Sequence, residues 1–234
     1  MNTDSESQPF LKAFSDPEAV ARYSDGPRRF VPGLADLHRL TGILLAERAP
    51  RDARVLVLGA GGGLELKALA EAHPGWSFVG VDPAEQMLRL AERTLGPLAK
   101  RVEFVQGYIE DAPLGPFDAA TCLLTLHFLD AAERRRTASD IRRRLVPDAP
   151  FVAAHGSFPQ EEAAQRALWL SRYAAFAIAS GVDPELANKA RAAVDASVNM
   201  FTPEHDETIL REAGFSNVSL FYAAFTWRGW VGYA

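Results

Sequence analysis

Gly59, Gly61 and Gly63 alternate directly after the run Val55-Leu56-Val57-Leu58 and directly before a leucine-rich helical segment. Glycines at such a junction let the backbone approach a ligand closely and tolerate positive φ. In dinucleotide-binding folds this context holds a pyrophosphate at a helix N-terminus, and an acid about 20 residues on binds the ribose hydroxyls. Asp82 stands in that place, at the carboxyl end of the next apolar run, Ser77–Val81. Loop, flanking elements and acid together point to an adenosine-type ligand. A tight turn with Asp82 capping the helix after Pro83 is the reading that needs no ligand. A nicotinamide dinucleotide loop would place its third glycine at position 64, which is Leu64.

Two histidines stand where strand ends would open. His127 follows the expected fourth strand and His155 ends the fifth. At those places either could act as a base near neutral pH without a large pKa shift. The plain alternative for each is a local hydrogen bond. His38, His73 and His205 fall on expected helices and read as surface or packing residues. Cys122 is the lone cysteine, which excludes an intramolecular disulfide and a cysteine-rich metal site. No metal is expected. Arg134-Arg135-Arg136 and Arg142-Arg143-Arg144 invite a phosphate-binding reading. Glu133 and Asp140 lie on the same segment, and a solvated helix face is the favoured account.

These residues need a scaffold of strands alternating with helices. Arg54–Leu58, Ser77–Val81, Arg101–Gln106, Phe117–Leu123 and Phe151–Ala154 read as strands. Helices are expected near Leu64–Ala72, Ala84–Thr94 and Asp130–Leu145. Such alternation predicts a parallel sheet with helices on both faces. Upstream, helices are expected over Pro9–Tyr23 and Leu34–Ala49, with Ser24-Asp25-Gly26-Pro27 as a break. Pro159–Val198 reads as two helices around Gly181-Val182-Asp183-Pro184, where one crossover would normally serve. A further helix starts at Pro203. Val218–Ala223 and Phe225–Tyr233 close the chain as strands that must be antiparallel, since no crossover separates them. The expectation is a single domain over 1–234, with N-terminal helices at 9–49 and a helical insertion at 159–200.

Trp169, Tyr173 and Phe176 share a helical face of the insertion. That face either packs on the domain or a second subunit, or forms a lid over a substrate. With 234 residues, 48% hydrophobic and 24% charged, the chain has a globular composition. Its net charge of −5 argues against a nucleic-acid partner. The longest uncharged run, Ala213–Trp227, is too short and too polar for a membrane span. Neither does the N-terminus show a signal-peptide pattern. A cytoplasmic protein is expected.

The spacing Gly59-x-Gly61-x-Gly63 resembles motif I of the class I S-adenosylmethionine-dependent methyltransferases. Gly80-Val81-Asp82-Pro83-Ala84-Glu85-Gln86-Met87 resembles that family's second motif. Gln106 to Pro113 and Gly115 to Ala120 resemble the third and fourth. Val31-Pro32-Gly33, Thr125-Leu126-His127-Phe128-Leu129 and the two-helix insertion resemble the bacterial carboxy-S-adenosylmethionine synthases more closely. The resemblance implies a Rossmann-like seven-stranded sheet, mostly parallel with its last strand antiparallel. It implies S-adenosylmethionine as cofactor, held by Gly59, Ala60, Gly61, Gly63, Asp82, Pro83, Met87, Tyr108, Ile109 and Leu123.

The chain departs from the synthase pattern at several points. Leu34 stands for a cofactor-contacting tyrosine and Leu123 for an asparagine. Val57 stands for the motif I acid, and Tyr108 for the acid that receives the adenine amine. Arg191 is offset by about two positions from the carboxylate-binding arginine. Two leucines would leave a carboxylated cofactor without hydrogen-bond partners, so methyl transfer to a small molecule is the expected reaction. Synthase-like or tRNA-modifying activity, and non-catalytic nucleoside binding, are the alternatives. Leu34, Trp169, Tyr173 and Arg191 are the acceptor-binding candidates, His127 and His155 the catalytic ones. A homodimer through the insertion is the expected assembly.

Overall fold

The computed structural model describes residues 26–234. The expected helix at 9–23 therefore lies outside the described residues. Seven strands form one sheet in the order β3-β2-β1-β4-β5-β7-β6. They are β1 Arg54–Leu58, β2 Ser77–Asp82, β3 Val102–Gln106, β4 Ala119–Leu123, β5 Pro150–Gly156, β6 Ser216–Ala224 and β7 Trp227–Tyr233. The first five pair in parallel, while β7 runs antiparallel to both β5 and β6. Strand order reverses between β1 and β4, and the crevice at such a switch point is where open α/β sheets bind ligands.

Eight α-helices surround the sheet: α1 Gly26–Phe30, α2 Leu34–Ala46, α3 Leu64–Ala72, α4 Glu85–Leu95, α5 Ala131–Arg142, α6 Ala163–Ala179, α7 Pro184–Ser197 and α8 Pro203–Glu212 among the described residues. Strand alternation sends Val55 and Val57 to one face and Leu56 and Leu58 to the other. The first face packs with Leu37, Leu45, Leu66, Leu69 and Phe78. The second packs with Val79, Phe117, Ile141, Phe151 and Trp230. Both faces are covered, which is why β1 and β4 are predominantly apolar.

Two expectations shift. Gly26-Pro27, read as a break, begins α1 instead. Proline is tolerated in a first turn because its missing N–H has no intrahelical partner there. Phe117 does not extend β4. It forms an isolated bridge to Leu145, and the Asp118 carboxylate accepts from the Arg54 amide at 2.8 Å.

The insertion is the helix pair α6 and α7. Its aromatic face turns onto the domain. Tyr173 stacks on Phe30 at 5.4 Å and lies 6.5 Å from Trp227, while Phe176 meets Phe225 at 6.2 Å.

Candidate active site

β1 runs into the glycine loop at the switch point, and the loop is tied to β2. The amides of Gly59 and Ala60 both donate to the Val81 carbonyl, at 2.8 and 2.9 Å. Asp82 then fixes the loop from the side. Its Oδ2 accepts from the Gly61 amide and its Oδ1 from the Ala84 amide, each at 2.9 Å. Burial raises the Asp82 pKa, and those two backbone N–H bonds offset part of the rise. Each carboxylate oxygen keeps a lone pair free, which suits the two hydroxyls of a ribose.

Gly59 is constrained as well as permissive. Its φ is +77°, and a Cβ there would lie 2.0 Å from Thr125 Oγ1. Gly59→Ala is therefore expected to cost about 1–3 kcal/mol from the backbone conformation alone. The check is a lower urea midpoint at unchanged slope.

The other predicted cofactor residues group around this loop. Met87 is buried against Ala84 at the start of α4. Gly107 donates to the Asp82 carbonyl at 3.1 Å, which brings the 108–109 segment beside the acid. Ile109 is buried in the cluster that holds Leu58, Val81 and Leu126. Tyr108 is 51% exposed, with its amide donating to the Asp111 carboxylate at 2.9 Å and its carbonyl accepting from the Asp111 amide at 3.1 Å. Pro83 accepts through its carbonyl from Gln106 at 3.4 Å. Leu123 ends β4 buried, and its carbonyl accepts from the Thr125 hydroxyl at 2.9 Å. An acid with free acceptors beside a glycine turn and apolar neighbours fits an adenosine ligand.

The turn after β4 carries His127 in a short 3-10 segment, Leu126–Phe128. Its ring is buried, and Nδ1 accepts from the Gly156 amide at 3.3 Å. That bond leaves the proton of the neutral ring on Nε2. Burial first, then the His155 and Arg134 charges, hold the His127 pKa well below the ordinary value. His155 is 1% exposed, and its Nε2 contacts Asp206 Oδ1 at 3.3 Å. Burial lowers its pKa too, with Asp206 opposing. The expectation that these histidines titrate near neutrality thus fails, because burial lowers the pKa of both rings.

A cavity of about 150 Å³ opens beside His127, lined by Phe128, Tyr173, Met200, Thr226 and Trp227 among others. Neither Trp169 nor Arg191 lines it. Trp169 packs near Phe158, with the Arg172 guanidinium 4.4 Å above its ring. Leu34 belongs to a separate hollow with Arg28, His38 and Lys67.

The basic run also resolves differently from a uniform solvated face. Arg134 is 1% exposed and ion-paired to Asp206, and Arg144 is buried. Arg135 pairs with Glu212 at 3.0 Å, and Arg143 pairs with Asp140. The sequence reading also passed over Glu65, a buried acid under the loop, and Thr226. Glu65 had a signal: it interrupts the apolar face formed by Leu66, Leu69 and Ala70. Thr226 had none, since the cavity wall is assembled from distant segments.

The doubly wound sheet, the glycine loop at its switch point and the acid ending β2 define an α/β enzyme that binds an adenosine-containing cofactor. Residues 55–148 match the family model described as a methyltransferase domain. The chain is 31% identical over 225 residues to the carboxy-S-adenosyl-L-methionine synthase of Chromohalobacter salexigens, covering 93% of this chain and 82% of that protein. It is 29% identical over 190 residues to a malonyl-[acyl-carrier protein] O-methyltransferase of Geobacter sulfurreducens, covering 79% and 63%. An O-methyltransferase family protein from Burkholderia thailandensis superposes with a TM-score of 0.69 at 17% identity, over 98% of this chain and 63% of that one. This chain spans 57% and 63% of the length of two such solved structures.

The chain belongs to the class I S-adenosylmethionine-dependent methyltransferase family, alongside the carboxy-S-adenosylmethionine synthases. It is an S-adenosylmethionine-dependent methyltransferase, and S-adenosylmethionine is its cofactor.

Proposed function

We propose that this enzyme methylates a small, largely apolar molecule seated in the cavity beside His127. The observation that carries the reading is the cavity wall itself. Aromatic and aliphatic side chains from the insertion and from β7 surround two polar ones, His127 and Thr226. Thr226 Oγ1 is buried and without a partner. One oxygen-bearing substituent on a flat apolar body would satisfy both polar groups.

Bound S-adenosylmethionine supplies an electrophilic methyl group on a sulfonium. The Asp82 carboxylate and the glycine loop hold the nucleoside, and the cavity holds the acceptor in line, which is where most of the rate gain in a direct displacement arises. His127, neutral and with its proton on Nε2, donates to the acceptor and orients it. The sealed His155 supports Asp206 instead.

The test is product detection with isotopically labelled S-adenosylmethionine over a small-molecule library. His127→Ala is expected to lower kcat/KM for the true acceptor by about ten- to a hundredfold, the loss of one buried hydrogen bond. For a non-ionising acceptor at saturating S-adenosylmethionine, which removes any cofactor-binding ionisation from the profile, kcat/KM should show no ionisation near 6.5 between pH 6 and 8. A clear inflection there would restore His127 as a base. Labelling of tRNA in place of small molecules would overturn the acceptor class. The arginines of α5 and its C-cap speak against tRNA, since Arg134, Arg135 and Arg143 are already paired.

Production of a carboxylated cofactor from prephenate is the second reading, favoured by the relative in Chromohalobacter salexigens. Leu34 and Leu123, both buried and apolar, oppose it. Among the described residues no helix is long and apolar enough to cross a membrane. A cytoplasmic enzyme that pairs with a second copy through the outer face of the insertion completes the proposal. Leu168 and Ile178 of α6 and Leu186 of α7 are exposed apolar residues of the insertion, and light scattering reads the assembly.

A further inference from the structure

Beneath the glycine loop lies a carboxyl group that the fold leaves unpaired. Glu65 is the second residue of α3, yet it is only 6% exposed, and its Oε1 is buried with no hydrogen-bond partner. Thr121 on β4 faces it, and that hydroxyl is likewise buried. Thr121 is the register partner of Val57 on β1. The carboxyl therefore rests over the sheet two residues before β1 turns into Gly59. Burial raises its pKa to about 7, and the Thr121 hydroxyl beside it offsets a smaller part. The titratable group coupled to it is the Cys122 thiol of β4, pushed up by burial and by the Glu65 charge. Val57 is apolar, and no charged group on α2, α4 or β2 shifts the carboxyl.

An unpaired buried acid is costly, and leucine would fill the position without that cost. Its place is informative. It lies under the one loop where the cofactor must bind, at the N-terminal turn of a helix, where negative charge is favoured. The cofactor brings positive charge to this loop, an α-ammonium and a sulfonium.

We propose that Glu65 is the counter-charge for the cationic amino-acid end of S-adenosylmethionine. This rests on the cofactor assignment. In the free enzyme the carboxyl is partly protonated at neutral pH. Cofactor binding ionises it, and its proton leaves to solvent. Val57, which offers no charge at the end of β1, is thereby compensated from α3.

The test is calorimetry at pH 7 in two buffers of different ionisation enthalpy. Wild-type enzyme should release a fraction of a proton on binding S-adenosylmethionine. Glu65→Gln should abolish that release and weaken S-adenosylmethionine about tenfold or more. Its affinity for 5′-methylthioadenosine, which carries neither charge, should not change. S-adenosylhomocysteine, with the ammonium alone, should fall between.

The free enzyme gives a second readout. The folded pKa of about 7 lies above the unfolded carboxyl value, so this group's stabilising contribution is full below the unfolded value. It is lost as pH rises through 7, and Glu65→Gln should remove that dependence. Glu65→Leu replaces it if the glutamine variant does not fold. Equal weakening of both nucleosides would reduce Glu65 to a structural role, and unchanged S-adenosylmethionine affinity would overturn the proposal. Wild-type protein that binds neither nucleoside would instead overturn the cofactor assignment beneath it.

Discussion

Asp82→Ala is expected to lower the affinity for S-adenosylmethionine and S-adenosylhomocysteine by about ten- to a hundredfold. Hydrogen bonds to a charged group contribute about 1.5–3 kcal/mol, and a ribose diol would find no acceptor at this position in that variant. The carboxylate also holds the Gly61 and Ala84 amides, so its loss loosens the loop. Asp82→Asn separates the two effects. It keeps an acceptor for one amide but removes the charge, and should lose less affinity than alanine. Burial raises the Asp82 pKa, so nucleoside affinity should begin to fall at a higher pH than for an exposed aspartate as the solution is acidified. Calorimetry on variants shown to be folded is the measurement. Unchanged affinity in folded Asp82→Ala would remove the ribose assignment.

How much of this was legible beforehand depends on sequence separation. The loop and its acid are local: Gly59–Gly63 follows β1 directly, and Asp82 ends the next strand. Their types and spacing point to a candidate nucleoside site from the chain alone. Strand boundaries came within a few residues, because β1 and β4 are apolar on both faces and end at glycine or polar turns. The cavity beside His127 was not legible. Its wall joins residue 127 with 173, 200 and 226–227, and only the return of the insertion onto β7 brings them together.

The histidines show the same limit. Their positions at strand ends were readable, but their protonation was not, because burial and the Arg134 charge decide it. Arg134 itself misled: in sequence it sits in a basic triplet, and only the fold shows one member of that triplet turned inward. Helical spacing carried the hint, since Arg134 lies on the face of Thr137, Ala138 and Ile141, all buried.

Asp206→Ala is expected to destabilise the protein by about 3–5 kcal/mol, the cost of leaving a buried charge without its partner. Arg134 and Asp206 are both sealed from solvent. The remaining guanidinium donors go to backbone: Nε to the Leu126 carbonyl at 3.0 Å, and NH2 to the carbonyls of Asn199 at 2.7 Å and Leu129 at 3.3 Å. Asn199 in turn donates to the His127 carbonyl at 3.0 Å. One arginine thus joins the turn after β4, the return from the insertion and α8. Removing Asp206 leaves that arginine charged in an apolar interior, with His155 also deprived of its acceptor.

Burial alone would raise the Asp206 pKa, but His155 and Arg134 outweigh it and hold the acid below its ordinary value. Stability from this pair is therefore present above the unfolded aspartate pKa and lost as pH falls through the lower folded one. Wild-type unfolding should steepen in acid, and Asp206→Asn should lose that dependence. Replacing both residues with apolar ones of similar volume, Arg134→Met with Asp206→Leu, should recover much of the stability, since an apolar pair avoids the desolvation penalty. It should not recover the geometry. Three backbone carbonyls lose their shared donor in the double variant, so the turn that carries His127 is no longer tied to Asn199 through the guanidinium. KM for the acceptor should rise while nucleoside affinity, set by Asp82 and the glycine loop, stays unchanged. A double variant that is stable and has wild-type KM would show that the clamp contributes stability alone.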